Sequence, residues 1–186
     1  MGYEGRIRLR DGPEKEEACG AAMQLLVECR DLLEQAGIPV EIVSSGGTSS
    51  HKICGRYPGV TEVQAGSYLV MDTDYFQCCC TDFELALSLL TTIVSKTGSE
   101  RIVVDAGVKA LSALRGLSSV KSAAGVTLKA LNAEHGIIQL DHPDRSLEVG
   151  DKIELWVHDA DPTISLHRQI FGIRKDLVEE VFRIEG

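Results

Sequence analysis

Basic residues are in deficit. The 186-residue chain carries 19 Lys plus Arg against 28 Asp plus Glu, for a formal net charge of −9. An acidic chain of this kind is excluded as a general binder of nucleic acid or of anionic membrane, because both reward a basic face. Long apolar runs are also missing: none reaches the roughly 20 residues that a membrane-spanning helix needs. The opening stretch MGYEGRIRLRDGPEKEE has no apolar h-region, so it shows no secretory signal. Arg6 stands where the myristoylation pattern requires Ser or Thr. Neither internal repeats nor low-complexity tracts occur. Aromatics make up only 5% of the chain, but 44% is hydrophobic and 25% charged. That is the composition of an ordinary globular protein, of a length for one large domain or two small ones.

Six cysteines are present: Cys19, Cys29, Cys54 and the run Cys78-Cys79-Cys80. The chain length, the lack of a leader and the core-sized apolar content favour reduced thiols and a cytoplasmic protein over a disulfide framework. The triplet lacks CxxC spacing. Read as part of a strand, its side chains alternate in direction and cannot all reach one zinc ion.

Residues 14–36 have apolar side chains at three- and four-residue spacing, at Ala18, Ala22, Leu25, Leu26, Cys29, Leu32 and Leu33, which predicts an amphipathic helix stopped by Gly37. A β-branched run at 38–45 then ends in Gly46-Gly47. Together these read as a helix, a tight turn, a buried parallel-type strand and a glycine loop. Residues 59–72 form another strand candidate, with Gly66 marking a bend. From about Tyr75 onward, strands are expected at 83–97, 101–107, 126–140, 151–160, 164–176 and 177–186. Turn signals separate them at Thr97-Gly98-Ser99, His142-Pro143-Asp144 and Val149-Gly150-Asp151. Strands in succession without helices between them indicate an antiparallel module. The expected class is therefore α/β plus all-β, with an α/β piece over 1–75 and a β-rich domain over 76–186. One helix and two or three strands cannot cover both faces of a parallel sheet, so the first piece needs a partner.

Several stretches carry a resemblance in order along nearly the whole chain: Gly2-Tyr3-Glu4-Gly5, EIVSSGGT (41–48), VTEVQAGSYLVMDTDY (60–75), DAGVKALS (105–112), LNAEHG (131–136), VGDKIELWVH (149–158), DPTISLHR (161–168) and VEEVFRIEG (178–186). The chain resembles the C-terminal half of the D-threonine aldolase / D-serine dehydratase-like family, which has the alanine-racemase (fold type III) architecture. The resemblance implies the last units of a TIM-type barrel that binds pyridoxal 5′-phosphate, followed by a β-domain. It also implies that the lysine anchoring the cofactor lies upstream of the residues present here.

Gly46, Gly47 and Thr48 follow a buried strand, where backbone N–H groups can approach an anion and a hydroxyl can add a bond; the same residues suit an ordinary strand-to-helix turn. The resemblance implies the first use, as a grip on the cofactor phosphate at the C-terminal end of a barrel strand. It places Gly66, Ser67 and Tyr68 at the final barrel strand beside the cofactor, and Tyr3 at the pocket edge. Where the family tends to continue GGTGT, this chain has Thr48-Ser49-Ser50, and where relatives have His after YEG it has Arg6. His158 and Asp161 combine imidazole with carboxylate, a donor set suited to a divalent ion such as Zn²⁺ or Mn²⁺. In the family a His-x-Asp or His-x-Cys pair on this strand holds a metal beside the substrate hydroxyl. His158 and Asp161 are three apart and can converge only where the chain turns, as at Asp161-Pro162; the family register counted from His158 lands on Ala160. Glu134-His135-Gly136 offers His135 as a general base or as a turn residue.

Two functions of different class result. In the first, the chain is part of a pyridoxal-phosphate lyase acting on a β-hydroxy D-amino acid, by aldol cleavage or by dehydration. In the second, it is a non-catalytic paralogue or interaction module that retains the β-domain. Lys52 is the lysine nearest the glycine loop but on the wrong strand, and Lys15 and Lys96 fall on predicted surface segments. The expected partners are a small D-amino acid and either a second copy of the chain or a complementing N-terminal barrel segment, with no nucleic acid and no membrane.

Overall fold

The structure, a computed structural model, describes residues 1–79, 81–121, 125–142 and 146–185. Cys80 and the predicted turn at Pro143-Asp144 lie outside the described residues. The chain divides into two compact units. One comprises Met1–Met71 with Tyr75–Glu84, and the other Asp72–Asp74 with Leu85–Gly186.

In the first unit, α1 (Pro13–Gln35) starts on a proline in its first turn, with Glu14 and Glu16 against the positive end of the helix dipole. It ends where Gly37 takes φ 79° and its N–H reaches the Glu34 carbonyl at 2.9 Å. The helix falls where it was expected, but its buried face does not. Lys15, Cys19 and Met23 are buried, whereas Leu25 and Leu32 are 68% and 66% exposed. The reason is the small size of what α1 covers: Cys19 and Met23 pack with Cys54, Ile53, Ile7, Tyr57 and Val60. Such a cluster takes a narrow stripe, rotated from the one the leucines define. Lys15 also corrects its reading as a surface residue. Its ammonium is fully buried and donates to Asp11 Oδ1 and to the Cys79 carbonyl, both at 2.9 Å, the pairing that makes a buried charge tolerable.

The expected strands at 38–45 and 59–72 shrink to β1 (Ser44–Ser45) and β2 (Glu62–Val63), paired in parallel. Ile38 and Ile42 stay exposed. A short helix, α2 (His51–Cys54), follows the glycine loop, and a 3₁₀ turn covers Ser67–Leu69. The helix α3 (Thr73–Cys78) was not anticipated, and it corrects the reading of the cysteine run as strand, because Cys78 ends a helix.

In the second unit a six-stranded antiparallel sheet has the order β5-β8-β3-β4-β7-β6. Its strands are β3 (Ser88–Thr97), β4 (Arg101–Val104), β5 (Ser119–Val120), β6 (Val126–Leu131), β7 (Gly136–Leu140) and β8 (Lys152–Trp156). The edge strands β5 and β6 come close to each other, so the sheet curls toward a barrel. Alternate residues on β4, β7 and β8 face inward and, with Ile93 of β3, build the core from Ile102, Val104, Ile138, Leu140 and Leu155. The expected strand 126–140 is a hairpin, β6 and β7, and the expected strand 164–176 begins only at β9. A short helix, α4 (Ala160–Ile164), precedes β9 (Gln169–Arg174), which pairs with β10 (Leu177–Arg183) as a separate hairpin.

Asp105 ties β4 to β3. Its Oδ1 accepts from the Thr91 hydroxyl at 2.6 Å and from the Thr92 N–H at 2.7 Å. The Thr91 bond first, and the Thr92 bond next, hold its carboxyl below the usual range. We expect Asp105→Ala to cost about 1 kcal/mol at neutral pH, toward the modest end because the site is exposed. The depressed folded pKa fixes the sign. The charge-dependent part is present above the unfolded value of about 3.9 and fades as pH falls through the folded one. Urea melts at pH 7 and pH 3 should show the gap between wild type and variant narrowing in acid.

Candidate functional site

In the first unit, the segment Gly2–Gly5 lies along β1, with the Gly2 N–H on the Ser44 carbonyl at 3.0 Å. The Tyr3 ring rests between two glycines. A Cβ on Gly5 would stand 2.2 Å from Tyr3 Cε1, and one on Gly47 would stand 3.1 Å from Tyr3 Cε2. Tyr3 as a whole is more than half exposed. Gly46 turns the chain with φ 78°, a conformation that suits glycine. The loop then closes on itself: Gly47 N–H donates to Ser50 Oγ at 3.1 Å, and Ser50 N–H to the Gly47 carbonyl at 3.2 Å.

Thr48 is buried, and its hydroxyl accepts the Tyr68 N–H at 3.0 Å. That bond joins the Gly46-Gly47-Thr48 loop to the Ser67-Tyr68 turn, so two stretches singled out separately in the sequence lie side by side. Gly66, beside that turn, has open space where a Cβ would be. Beneath the loop the buried Glu4 carboxylate accepts the hydroxyls of Ser50 and Ser45. His51 and Tyr68 both set their rings against Phe83, at centroid distances of 5.2 and 5.5 Å. Lys52 is paired with Asp82. Glu4, Ser50 and Phe83 were not singled out from the sequence. Glu4 sat inside the GYEG motif, and its pairing with the serines leaves no mark in local spacing.

These residues fit a phosphate group. The loop offers neutral backbone and hydroxyls, Gly66 leaves open space beside it, and the nearby acid Glu4 has its oxygens engaged by hydroxyl donors.

In the second unit, His158 follows β8. Its Nδ1 lies 2.9 Å from Thr73 Oγ1, and its N–H donates to Ser118 Oγ at 3.2 Å. The Nε2 edge passes over Gly116, where a Cβ would stand 2.6 Å away. Residues 72–74 run beside it: Thr73 N–H bonds the Val157 carbonyl and Asp74 N–H the His158 carbonyl, both at 3.1 Å. Asp72 and Asp159 are buried, and Asp72 Oδ2 accepts the Ala160 N–H at 2.9 Å. Arg115 reaches Asp74 at 3.3 Å and Asp159 at 3.7 Å. Burial pushes the Asp159 carboxyl above its ordinary range, with Asp72, Asp161 and Asp74 adding to the rise and Arg115 opposing it.

Asp161 lies exposed in the first turn of α4, so the chain does turn there. The acid that the turn carries inward is Asp159. Counted back from Asp161, a two-residue spacing also lands on Asp159 and not on His158. Among the described residues no group of three or more His, Cys, Asp or Glu is placed to hold a metal ion. The donor set does not fit a metal held by this chain alone. His135 is exposed at the tip of the β6–β7 hairpin, where its carbonyl accepts the Asn132 N–H at 2.8 Å. The adjacent Glu134 is tied to Lys109 at 2.7 Å.

Comparison with known proteins agrees with this architecture. Residues 86–173 match the family described as "Putative serine dehydratase domain". D-threonine aldolase from Arthrobacter sp is 31% identical over 188 residues, covering 99% of this chain and 50% of that protein. The crystal structure of D-threonine aldolase from Filomicrobium marinum superposes with a TM-score of 0.90 at 28% identity, over 98% of this chain and 50% of that one. D-threo-3-hydroxyaspartate dehydratase from Delftia sp. HT23 gives 0.82 at 25% identity, over 99% and 55%. The chain spans about half the length of the curated relatives it matches. Its fold is that of alanine-racemase-like proteins. Its homologues are D-threonine aldolase and 3-hydroxyaspartate aldolases or dehydratases, and it corresponds to a C-terminal half of an alanine-racemase-like protein. No helix among the described residues is long and apolar enough to cross a membrane.

Proposed function

We propose that the chain is the cofactor-phosphate-binding and β-domain portion of a pyridoxal-phosphate lyase acting on a small β-hydroxy D-amino acid, and that alone it binds the cofactor without turning it over. The bond from Tyr68 N–H to Thr48 Oγ1 carries the reading, because it assembles the phosphate cradle from two separate segments. Bound pyridoxal phosphate supplies the electron-withdrawing ring that makes Cα–Cβ cleavage or β-elimination possible. The chain's own contribution to binding is backbone N–H and hydroxyl donors from Gly46, Thr48, Gly66 and Ser67, with Gly47, whose N–H is taken by Ser50, shaping the loop and Tyr3 and Tyr68 edging the pocket. In the second unit, Thr73 fixes the His158 ring through Nδ1. Nε2 is then the nitrogen available to exchange a proton. His135 has no such support and is kept as a hairpin residue. Residues 1–75 are assigned to the barrel and 76–186 to the β-domain. The free cysteines among the described residues suit a cytoplasmic setting.

A second reading, an interaction module without chemistry, is favoured by β9 and β10. Phe171, Ile173, Leu177, Val178 and Phe182 are each more than half exposed, and a two-stranded ribbon is marginal alone in water. Either reading calls for a partner, a second copy or a complementing barrel segment. Calorimetric titration of the purified chain with pyridoxal phosphate tests the proposal. Binding displaced by inorganic phosphate, with no borohydride-sensitive visible band and no cleavage of D-threonine, is the expected result. Indifference to inorganic phosphate would reject the cradle. A visible band abolished by Lys52→Ala would place the anchoring lysine within this chain.

A further inference from the structure

The carboxylates near His158 are not used by the proposed cradle, and Asp72, Asp74 and Asp159 all belong to the second unit. The pair expected from the sequence to hold a divalent ion does not converge. His158 Nδ1 is engaged with the Thr73 hydroxyl, and Asp161 is exposed in the first turn of α4. The acids that turn inward are Asp72 and Asp159, only 2% and 3% exposed. The cation that meets this group is a side chain. Arg115 Nη1 lies 3.3 Å from Asp74 Oδ2, and its Nε lies 3.7 Å from Asp159 Oδ2, so one guanidinium is bracketed by two carboxylates. The backbone that carries Arg115 is pinned as well. Gly116 lies so close under the His158 ring that a Cβ would stand 2.6 Å from Nε2, and Ser118 Oγ accepts the His158 N–H at 3.2 Å.

A buried carboxylate is tolerated when a cation or hydrogen bonds meet it. A guanidinium and a divalent ion are alternatives in that role: each puts positive charge among the oxygens, and the two cannot share one space. The guanidinium stays charged at every working pH and is tethered to the chain, so a hard ion held by one or two carboxylates and water competes poorly with it. We infer that Arg115 is the built-in counter-cation of this cluster, tying Asp74 of α3 to Asp159 at the entrance of α4 and keeping a divalent ion out of the place between them. His158 then serves as the spacer that sets residues 115–118 against the Asp72–Asp74 segment. A ligand that reaches this face meets a fixed, directional hydrogen-bond donor in place of an exchangeable Lewis acid. The inference concerns the second unit alone and does not rest on the cofactor cradle of the first.

The test uses Mn²⁺, a hard ion suited to carboxylate oxygens, added to the purified full chain. Free Mn²⁺ is followed by its paramagnetic resonance signal, and folding by the fluorescence of Trp156. The wild type is expected to take up no more Mn²⁺ than Asp159→Asn does. Arg115→Ala, with Arg115→Gln should that variant fold poorly, is expected to gain a Mn²⁺ site at least about tenfold tighter than any the wild type shows. Adding Asp159→Asn to the same chain should abolish the gain. Arg115→Lys keeps the charge and should stay as indifferent to Mn²⁺ as the wild type. Should neither neutral variant fold, Arg115→Lys decides: a folded chain indifferent to Mn²⁺ supports the counter-cation, and an unfolded one refutes it. The assignment is also overturned by an Asp159-dependent Mn²⁺ site in the wild type, by folded Arg115→Ala or Arg115→Gln chains without any gain, or by a gain that survives Asp159→Asn.

Discussion

Gly107→Ala is expected to lower the stability of the six-stranded unit by about 3 kcal/mol or more. A Cβ at this position would stand 2.3 Å from the Asn132 carbonyl oxygen, 2.5 Å from the Glu134 nitrogen and 2.6 Å from the Ala133 carbonyl carbon. All three are backbone atoms of the β6–β7 turn, and that turn cannot yield. Val108 N–H bonds the Asn132 carbonyl at 2.8 Å and Lys109 N–H the Ala133 carbonyl at 3.1 Å, so the two segments are fastened by the residues immediately after the glycine. Pushing them apart would break those bonds and draw Leu111, fully buried in the core, out of its place. Gly98→Ala provides the control. Gly98 has φ 74° but open space around it, so only the left-handed backbone is penalised, at about 1 kcal/mol. The single tryptophan, Trp156 on β8, reports on this unit. Urea titrations followed by its fluorescence should separate the two variants. A loss below about 1 kcal/mol for Gly107→Ala would contradict the packing described.

That contact shows which parts of the molecule the sequence exposes and which it hides. DAGVKALS and LNAEHG could each be recognised as motifs, but the reason for the glycine in one is the backbone of the other, some 25 residues away, and local periodicity carries no trace of it. The hairpin itself was missed for a related reason. Asn132-Ala133-Glu134-His135 lacks the Gly or Pro punctuation that marks most turns, so 126–140 read as one strand. Where a local rule was sufficient, the reading held. The Gly37 stop of α1 is capping chemistry written in neighbouring residues. The rotation of its buried face is not local, because it depends on Cys54 and Tyr57 being the groups that α1 meets.

The two glycine-bearing stretches proposed as a phosphate cradle were each legible in the sequence. What joins them is the Thr48 hydroxyl, and what supports them from below is Glu4, both through contacts distant in sequence. In the second cluster the sequence singled out His158 and paired it with Asp161, which lies exposed, and not with Asp159, whose inward direction is decided by the turn into α4. Arg115, Asp72 and Asp74 join it only in three dimensions.

The neighbouring glycines of the loop should respond to substitution in opposite ways. Gly46→Ala meets a left-handed backbone, costing about 1–2 kcal/mol, and a Cβ held 3.1 Å from Cys54 Cβ and 3.2 Å from Val63 Cγ1. Cys54 is fully buried and cannot retreat. The sum is about 2–3 kcal/mol, enough to loosen β1 from β2 and α1 from α2. At Gly47 the neighbour is the Tyr3 ring, which is 59% exposed and can swing into solvent. Gly47→Ala should therefore change stability by less than about 1 kcal/mol. If Tyr3 borders the cofactor pocket, moving its ring should still weaken pyridoxal phosphate binding about tenfold, a difference of about 1.4 kcal/mol. Thermal melts followed by the helical dichroism of α1, set beside calorimetric titrations, distinguish loss of fold from loss of ligand. Unchanged binding in Gly47→Ala, together with unchanged binding in Tyr3→Ala, would remove Tyr3 from the site. A Gly46→Ala chain as stable as wild type would show that this turn does not depend on glycine.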